Sequence, residues 1–257
     1  MKVALIQSQL SWENPITNRN YFEEKINAIT EKVDLIVLPE MFSTGFTMNP
    51  NDVAETIQGE TILLLQSLAK VKNSAITGSL IIKEKNNFYN RLVFVFPSGE
   101  MKFYDKRHLF TLAGEDKVYI KGNQKLIVDY LGWKICPLVC YDLRFPVFSR
   151  NVDDYDVLIY VANWPKTRIN AWDILLQARS VENMCYTIGV NRIGTDNSGY
   201  EYTGHSQVVD YLGNYVLEPQ QSEGVFIVEL NKEKMIETRK KLDFLNDKDS
   251  FELKTNR

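Results

Sequence analysis

The chain has 257 residues, 44% hydrophobic and 25% charged, the balance of an ordinary globular protein able to bury a sizeable core. A net charge of −3 with scattered Lys and Arg argues against nucleic acid as a partner. No apolar stretch approaches the roughly eighteen residues of a membrane span, and two isolated histidines are too few for an ordinary metal site.

Val3 to Gln7 reads as a central strand rather than as part of a secretory leader, so three unpaired cysteines and a reducing cytoplasm are expected. Pro15 suits a helix start, and Phe22, Ile26, Ile29 and Val33 then fall on one helical stripe. Leu35 to Leu38 is a short apolar strand that stops at Pro39-Glu40. A second helix is predicted over 60–72. Strands over 74–83 and 88–96 pair around Asn86-Asn87, and Pro97-Ser98-Gly99-Glu100 turns into a strand ending near Tyr104. After a long polar loop come strands over 125–130, 134–139 and 156–161, then a helix over 170–183. Strands over 185–191, 204–210 and 225–230 follow, with Leu212-Gly213-Asn214 as a hairpin turn. Helices alternating with buried strands, interrupted by hairpins, predict a two-sheet core with helices outside. No linker, repeat or low-complexity segment divides the chain, so 1–257 reads as one domain.

Three strand ends carry reactive groups. The buried strand over 134–139 delivers Cys140 to the charged turn Tyr141-Asp142-Leu143-Arg144, which is how a nucleophile is held at a sheet edge, although an inert core cysteine would look the same locally. Glu40 follows a buried strand and is walled by Met41 and Phe42, and desolvation makes a carboxylate a better general base, although alone it reads equally as a solvated strand-end glutamate. Lys106 follows another strand, where a fixed ammonium could stabilise an oxyanion, although locally it reads as part of a solvated charge cluster. Glu115, read locally, is a loop charge. Together an acid, a base and a thiol gather where α/β sheets place their sites, and such a set cleaves an amide without histidine.

Leu38-Pro39-Glu40-Met41, Tyr104-Asp105-Lys106-Arg107-His108-Leu109-Phe110 and Cys140-Tyr141-Asp142-Leu143-Arg144-Phe145-Pro146 resemble, in that order, the glutamate, lysine and cysteine motifs of the nitrilase, or carbon–nitrogen hydrolase, superfamily. Glu115 occupies the place of the family's second active-site glutamate. Residues 175–183 and Gly204-His205-Ser206 continue the resemblance over nearly the whole chain. His108-Leu109-Phe110, Cys140-Tyr141-Asp142 and Asn163-Trp164-Pro165 are most similar to the omega-amidase branch, which hydrolyses the terminal amide of 2-oxoglutaramate and 2-oxosuccinamate. A nitrilase, an N-carbamoyl amidase, an aliphatic amidase or an idle scaffold of the same fold are the alternatives.

The resemblance implies a four-layer α-β-β-α sandwich, a homodimer or higher even homo-oligomer, and a small-molecule amide substrate with no cofactor or metal. The charged segment 231–257, poor in apolar residues, is expected to pack on a partner subunit. Glu40 would take the Cys140 proton, and Lys106 with the Tyr141 N–H would hold the oxyanion. Lys106 would also favour the thiolate, and Glu115 would orient Lys106 or the substrate. Phe110, Tyr141 and Trp164 are expected at the substrate pocket. Arg168, in the loop after a buried strand, is expected to grip a substrate carboxylate. Cys136 and Cys185 read as core, Arg179 and Glu182 as an ion pair, and Arg144 as a brace for the loop after the nucleophile, with a place facing the active site as the alternative.

Overall fold

The computed structural model describes residues 1–254. In its first half, β1 (Lys2–Gln7), α1 (Pro15–Asn27), β2 (Leu35–Val37), α2 (Glu60–Lys72), β3 (Ala75–Glu84), β4 (Asn87–Val95) and β5 (Met101–Asp105) follow one another. The second half contains β6 (Val128–Tyr130), β7 (Trp133–Val139), the short α3 (Pro146–Ser149), β8 (Val157–Val161), α4 (Ile169–Asn183) and β9 (Tyr186–Val190). It closes with β10 (Ile193–Thr195), β11 (Glu201–Thr203), β12 (Ser206–Val209), β13 (Tyr215–Gln220), β14 (Gly224–Glu229) and α5 (Lys232–Leu242).

Two six-stranded sheets result, ordered β14-β1-β2-β3-β4-β5 and β13-β12-β9-β8-β7-β6, with β10 and β11 as a separate ribbon. Neighbours β1, β2 and β3 are parallel, as are β7, β8 and β9, and the flanking pairs are antiparallel. The alternation along β1 explains the layering. Val3 and Leu5 join Leu138, Ile135 and Val157 of the second sheet in one core. Ala4 and Ile6 turn to the other face and pack with Phe22 and Ile26 of α1 and Ile62, Leu65 and Leu68 of α2. On the far side, α4 lies so close to β9 that a Cβ on Gly189 would come within 2.5 Å of Leu176 and 2.7 Å of Trp172. These four layers are the expected α-β-β-α sandwich.

Several elements depart from the sequence reading. α1 ends at Asn27, yet Ile29 and Val33 stay buried in the same cluster, because an apolar stripe reports burial and a packed connection satisfies it too. β13 returns alongside β12 from the expected hairpin turn at Leu212-Gly213-Asn214, whereas the β10–β11 ribbon lacks a clear apolar alternation and lies outside the expected strands. The segment expected to pack on a partner opens with α5, which docks on its own chain. Asn231 caps the helix by accepting from the Lys234 N–H at 3.0 Å, and Met235 is fully buried. Lys232 and Arg239 both pair with Asp156, at 2.6 and 3.3 Å. Within the chain this stretch is held by charge-paired stems over one buried methionine. The remainder of that expectation extends to 255–257, outside the described residues.

Candidate active site

β7 is buried along its last five residues and delivers Cys140 into a left-handed backbone conformation, φ +44°, an uncommon state for a non-glycine residue. A 3-10 turn over Cys140–Arg144 follows. Asp142, fully buried, closes that turn: its Oδ2 accepts from the Val139 N–H at 3.0 Å and the Tyr104 hydroxyl at 2.8 Å. Its Oδ1 takes the His108 N–H at 3.0 Å and lies 2.7 Å from His108 Nδ1. The His108 ring stacks on Phe145 at 3.8 Å. One carboxylate thus ties the cysteine turn to the loop that carries Lys106. Burial pushes the Cys140 thiol well above its ordinary range, the Glu40 charge adds to this, and Lys106 opposes it. Lys106 favours the thiolate, as expected, but desolvation and the Glu40 charge outweigh it.

Glu40, Lys106 and Glu115 form one fully buried cluster. Glu40 follows the carboxyl end of β2, where Met41 turns left-handed and donates its N–H to Ser79 Oγ at 2.9 Å. Lys106 follows β5 and donates to Glu40 Oε1 at 2.9 Å and to both oxygens of Glu115 at 3.0 and 2.9 Å. Glu115 also accepts from the Phe110 N–H at 2.6 Å, cinching the loop between them. Burial works against a charged lysine here, but the Glu115 and Glu40 carboxylates outweigh it and hold the ammonium's pKa above its ordinary value. Burial, and the neighbouring Glu40, raise Glu115 despite Lys106.

Asn163, after β8, was not assigned a role from sequence although its tripeptide was singled out. Its N–H donates to Glu40 Oε2 at 2.9 Å, its Nδ2 to the Glu40 carbonyl at 2.6 Å, and its carbonyl lies 3.9 Å from Cys140 Sγ. Asn90 and Asp142 were missed as well. Nothing local marks Asn90 beyond a polar residue inside an apolar strand, and Asp142 reads as a turn residue.

Above the cluster opens a cavity of ≈ 420 Å³, lined by Glu40, Lys106 and Cys140 at its floor. Phe110, Tyr141, Trp164 and Arg168 line its walls, while Glu115 stands behind Lys106. Arg168 sits 5.2 Å above the Phe110 ring, and Arg144 sits 4.9 Å above Trp164. Arg144 therefore faces the cavity, the second of the two placements open to it, and the bracing is done by Asp142 and by Arg179, which donates to the Leu143 carbonyl at 2.6 Å. Arg179 also pairs with Glu182 at 2.9 Å, and Cys136 and Cys185 are fully buried core residues, as read from sequence. Among the described residues no cluster of three or more His, Cys, Asp or Glu is arranged to hold a metal ion. Nor is any helix there long and apolar enough to cross a membrane.

A thiol beside a buried carboxylate and a fixed ammonium can attack an electrophilic carbon, move the proton and stabilise the charge that develops. That is the outfit of a thiol hydrolase. The carbon-nitrogen hydrolase family profile matches residues 2–240. The chain is 40% identical to "Omega-amidase YafV" of Escherichia coli (strain K12) over 98% of either chain. It is 29% identical to "2-oxoglutaramate amidase" of Bacillus subtilis (strain 168), covering 95% of this chain and 96% of that one. A CN-hydrolase superfamily protein from Xanthomonas campestris, solved with an arsenic adduct in its active site, superimposes with a TM-score of 0.96 at 38% identity over 99% of both chains. The chain belongs to the carbon–nitrogen hydrolase, or nitrilase, superfamily, and is a hydrolase of carbon–nitrogen bonds other than peptide bonds.

Proposed function

We propose that this protein is an omega-amidase that hydrolyses the terminal amide of a short omega-amido 2-oxo acid, such as 2-oxoglutaramate or 2-oxosuccinamate, to the acid and ammonia. The observation that carries this reading is the pairing of a buried Glu40–Lys106–Cys140 floor with two cavity-lining arginines, Arg144 and Arg168, neither ion-paired to a carboxylate among the described residues. The likeness to the two amidases named above supports it.

Glu40 accepts the Cys140 proton as Sγ attacks the amide carbon. Lys106 Nζ and the Tyr141 N–H receive the oxyanion, donors already in place before charge develops. Glu40 passes the proton to the amide nitrogen, the C–N bond breaks and ammonia leaves a thioester. Water then gives a proton to Glu40 while attacking that thioester, and the proton returns to sulfur as the C–S bond breaks. Burial raises the thiol's pKa, so attack is helped by a base that takes the proton in the immediate neighbourhood of the sulfur. Glu115 holds Lys106 in place. Arg168, with Arg144, grips the substrate carboxylate and so sets the distance from anchor to scissile carbonyl.

We further infer a cytoplasmic enzyme, from three free buried thiols, and a homodimer or higher even oligomer, from exposed Ile174 and Val181 on α4. Sedimentation at the mass of a single chain at micromolar concentration would count against the oligomer.

Ammonia release from 2-oxoglutaramate, from an uncharged amide of similar length, from a nitrile and from a carbamoyl compound tests the substrate. The keto-acid amide should have the highest kcat/KM. Arg168→Ala should lower that value by roughly one to two decades, since charge-assisted hydrogen bonds are worth about 1.5–3 kcal/mol, and should spare the uncharged amide. A nitrile or neutral amide turned over as well as the keto-acid amide would refute the substrate class.

A further inference from the structure

Asn90 lies in the middle of β4, fully buried, opposite Ile81 of β3. Asparagine is a poor strand former, and an apolar side chain would pack this position more readily. Its Nδ2 donates to Glu40 Oε1 at 2.9 Å and to Glu115 Oε1 at 3.1 Å, whereas its own Oδ1 is buried with no hydrogen-bond partner. Two carboxylates can only be met by the amide nitrogen, so this side chain is oriented by its donors at the expense of its acceptor. Its backbone carbonyl also accepts the Lys106 N–H at 3.0 Å.

The charges explain why such a residue is needed. Two buried carboxylates share one ammonium, leaving one negative charge in excess if all three are ionised. Lys106 can separate the two acids but draws on the same Glu40 oxygen that Asn90 reaches. With both donors on Oε1, Glu40 Oε2 is left to the Asn163 N–H and to proton exchange with the thiol. We propose that Asn90 is a positioning residue of the hydrolytic centre, its shared amide nitrogen holding Glu40 and Glu115 apart in the one arrangement that leaves Glu40 free to take and return the Cys140 proton.

This inference rests on the mechanism proposed above, and it does not depend on which amide is the substrate. The test compares wild type with Asn90→Leu, which keeps the volume but has no donor, and Asn90→Asp, which keeps the shape but replaces the donor by an acceptor. Each is assayed for steady-state hydrolysis and for the rate at which iodoacetamide alkylates Cys140, read by mass spectrometry. Both variants should lose roughly 10–100-fold in kcat, as misplaced catalytic groups do, with KM within about twofold. Alkylation of Cys140 should slow in parallel, and Asn90→Leu should melt no lower than wild type. Should Asn90→Leu fail to fold, Asn90→Asp decides alone. A kcat within twofold of wild type in a folded variant, or a loss confined to KM, overturns the assignment. Wild type inactive on 2-oxoglutaramate would sink the substrate reading only, and the alkylation rates would still decide the role of Asn90.

Discussion

Glu115→Gln isolates the charge that stands behind Lys106. The wild-type carboxylate accepts four hydrogen bonds: two from Lys106 Nζ at 3.0 and 2.9 Å, one from Asn90 Nδ2 at 3.1 Å and one from the Phe110 N–H at 2.6 Å. A glutamine of the same shape replaces one acceptor oxygen by an NH2. Whichever oxygen is replaced, two of the four contacts become donor against donor. Hydrogen bonds to charged groups are worth about 1.5–3 kcal/mol, so the gross loss is about 3–6 kcal/mol. Part is returned, because burial already disfavours the ionised Glu115. A net destabilisation of about 1–3 kcal/mol corresponds to a fall in Tm of roughly 2–10 °C for a chain of this size. The kinetic effect should be larger than the thermal one. Lys106, deprived of one counter-charge, is drawn onto Glu40, and the base and the oxyanion donor then neutralise each other. A loss of roughly 10²-fold in kcat is expected, about 2.7 kcal/mol. Differential scanning calorimetry and ammonia release measure the two. A variant with kcat within threefold of wild type would refute the placement of Glu115 as the support of Lys106.

Cys140→Ser should abolish turnover while leaving the melting transition in place, and Cys136→Ser and Cys185→Ser should remain active; wild-type rates from Cys140→Ser would end the mechanism. Stability should decline in alkali: burial pushes the Cys185 thiol from 9.0 up to about 12. Its folded form therefore holds a proton that the unfolded chain releases, so its contribution is intact below pH 9 and is lost between about 9 and 12. Urea midpoints should fall across that window, less steeply in Cys185→Val; equal slopes would exclude this thiol as a contributor. Gly189→Ala, whose Cβ would meet Leu176 at 2.5 Å and Trp172 at 2.7 Å, should cost about 1–3 kcal/mol by forcing α4 off the sheet. An unchanged urea midpoint would show that α4 yields without penalty.

What the sequence determined by itself was the reactive set and the frame that carries it. Glu40, Lys106 and Cys140 each end a strand whose apolar run is legible without coordinates, and periodicity placed α2 at its observed bounds. Strands and helices bury one face or one stripe, so composition along the chain encodes them locally. The tertiary structure alone decided how those groups act on one another. Asn90 becomes part of the site because β4 crosses beside β3 and points one amide at two glutamates that are 50 and 25 residues away in sequence. Arg144 reaches the cavity because Asp142 folds the cysteine turn back on Tyr104 and His108. The docking of α5 depends on Asp156, a residue with no sequence relation to Lys232 or Arg239. The balance of forces on the thiol is settled at the same level. A neighbouring lysine lowers a cysteine's pKa in water, but depth of burial is a property of the packed sheets, and at Cys140 burial wins.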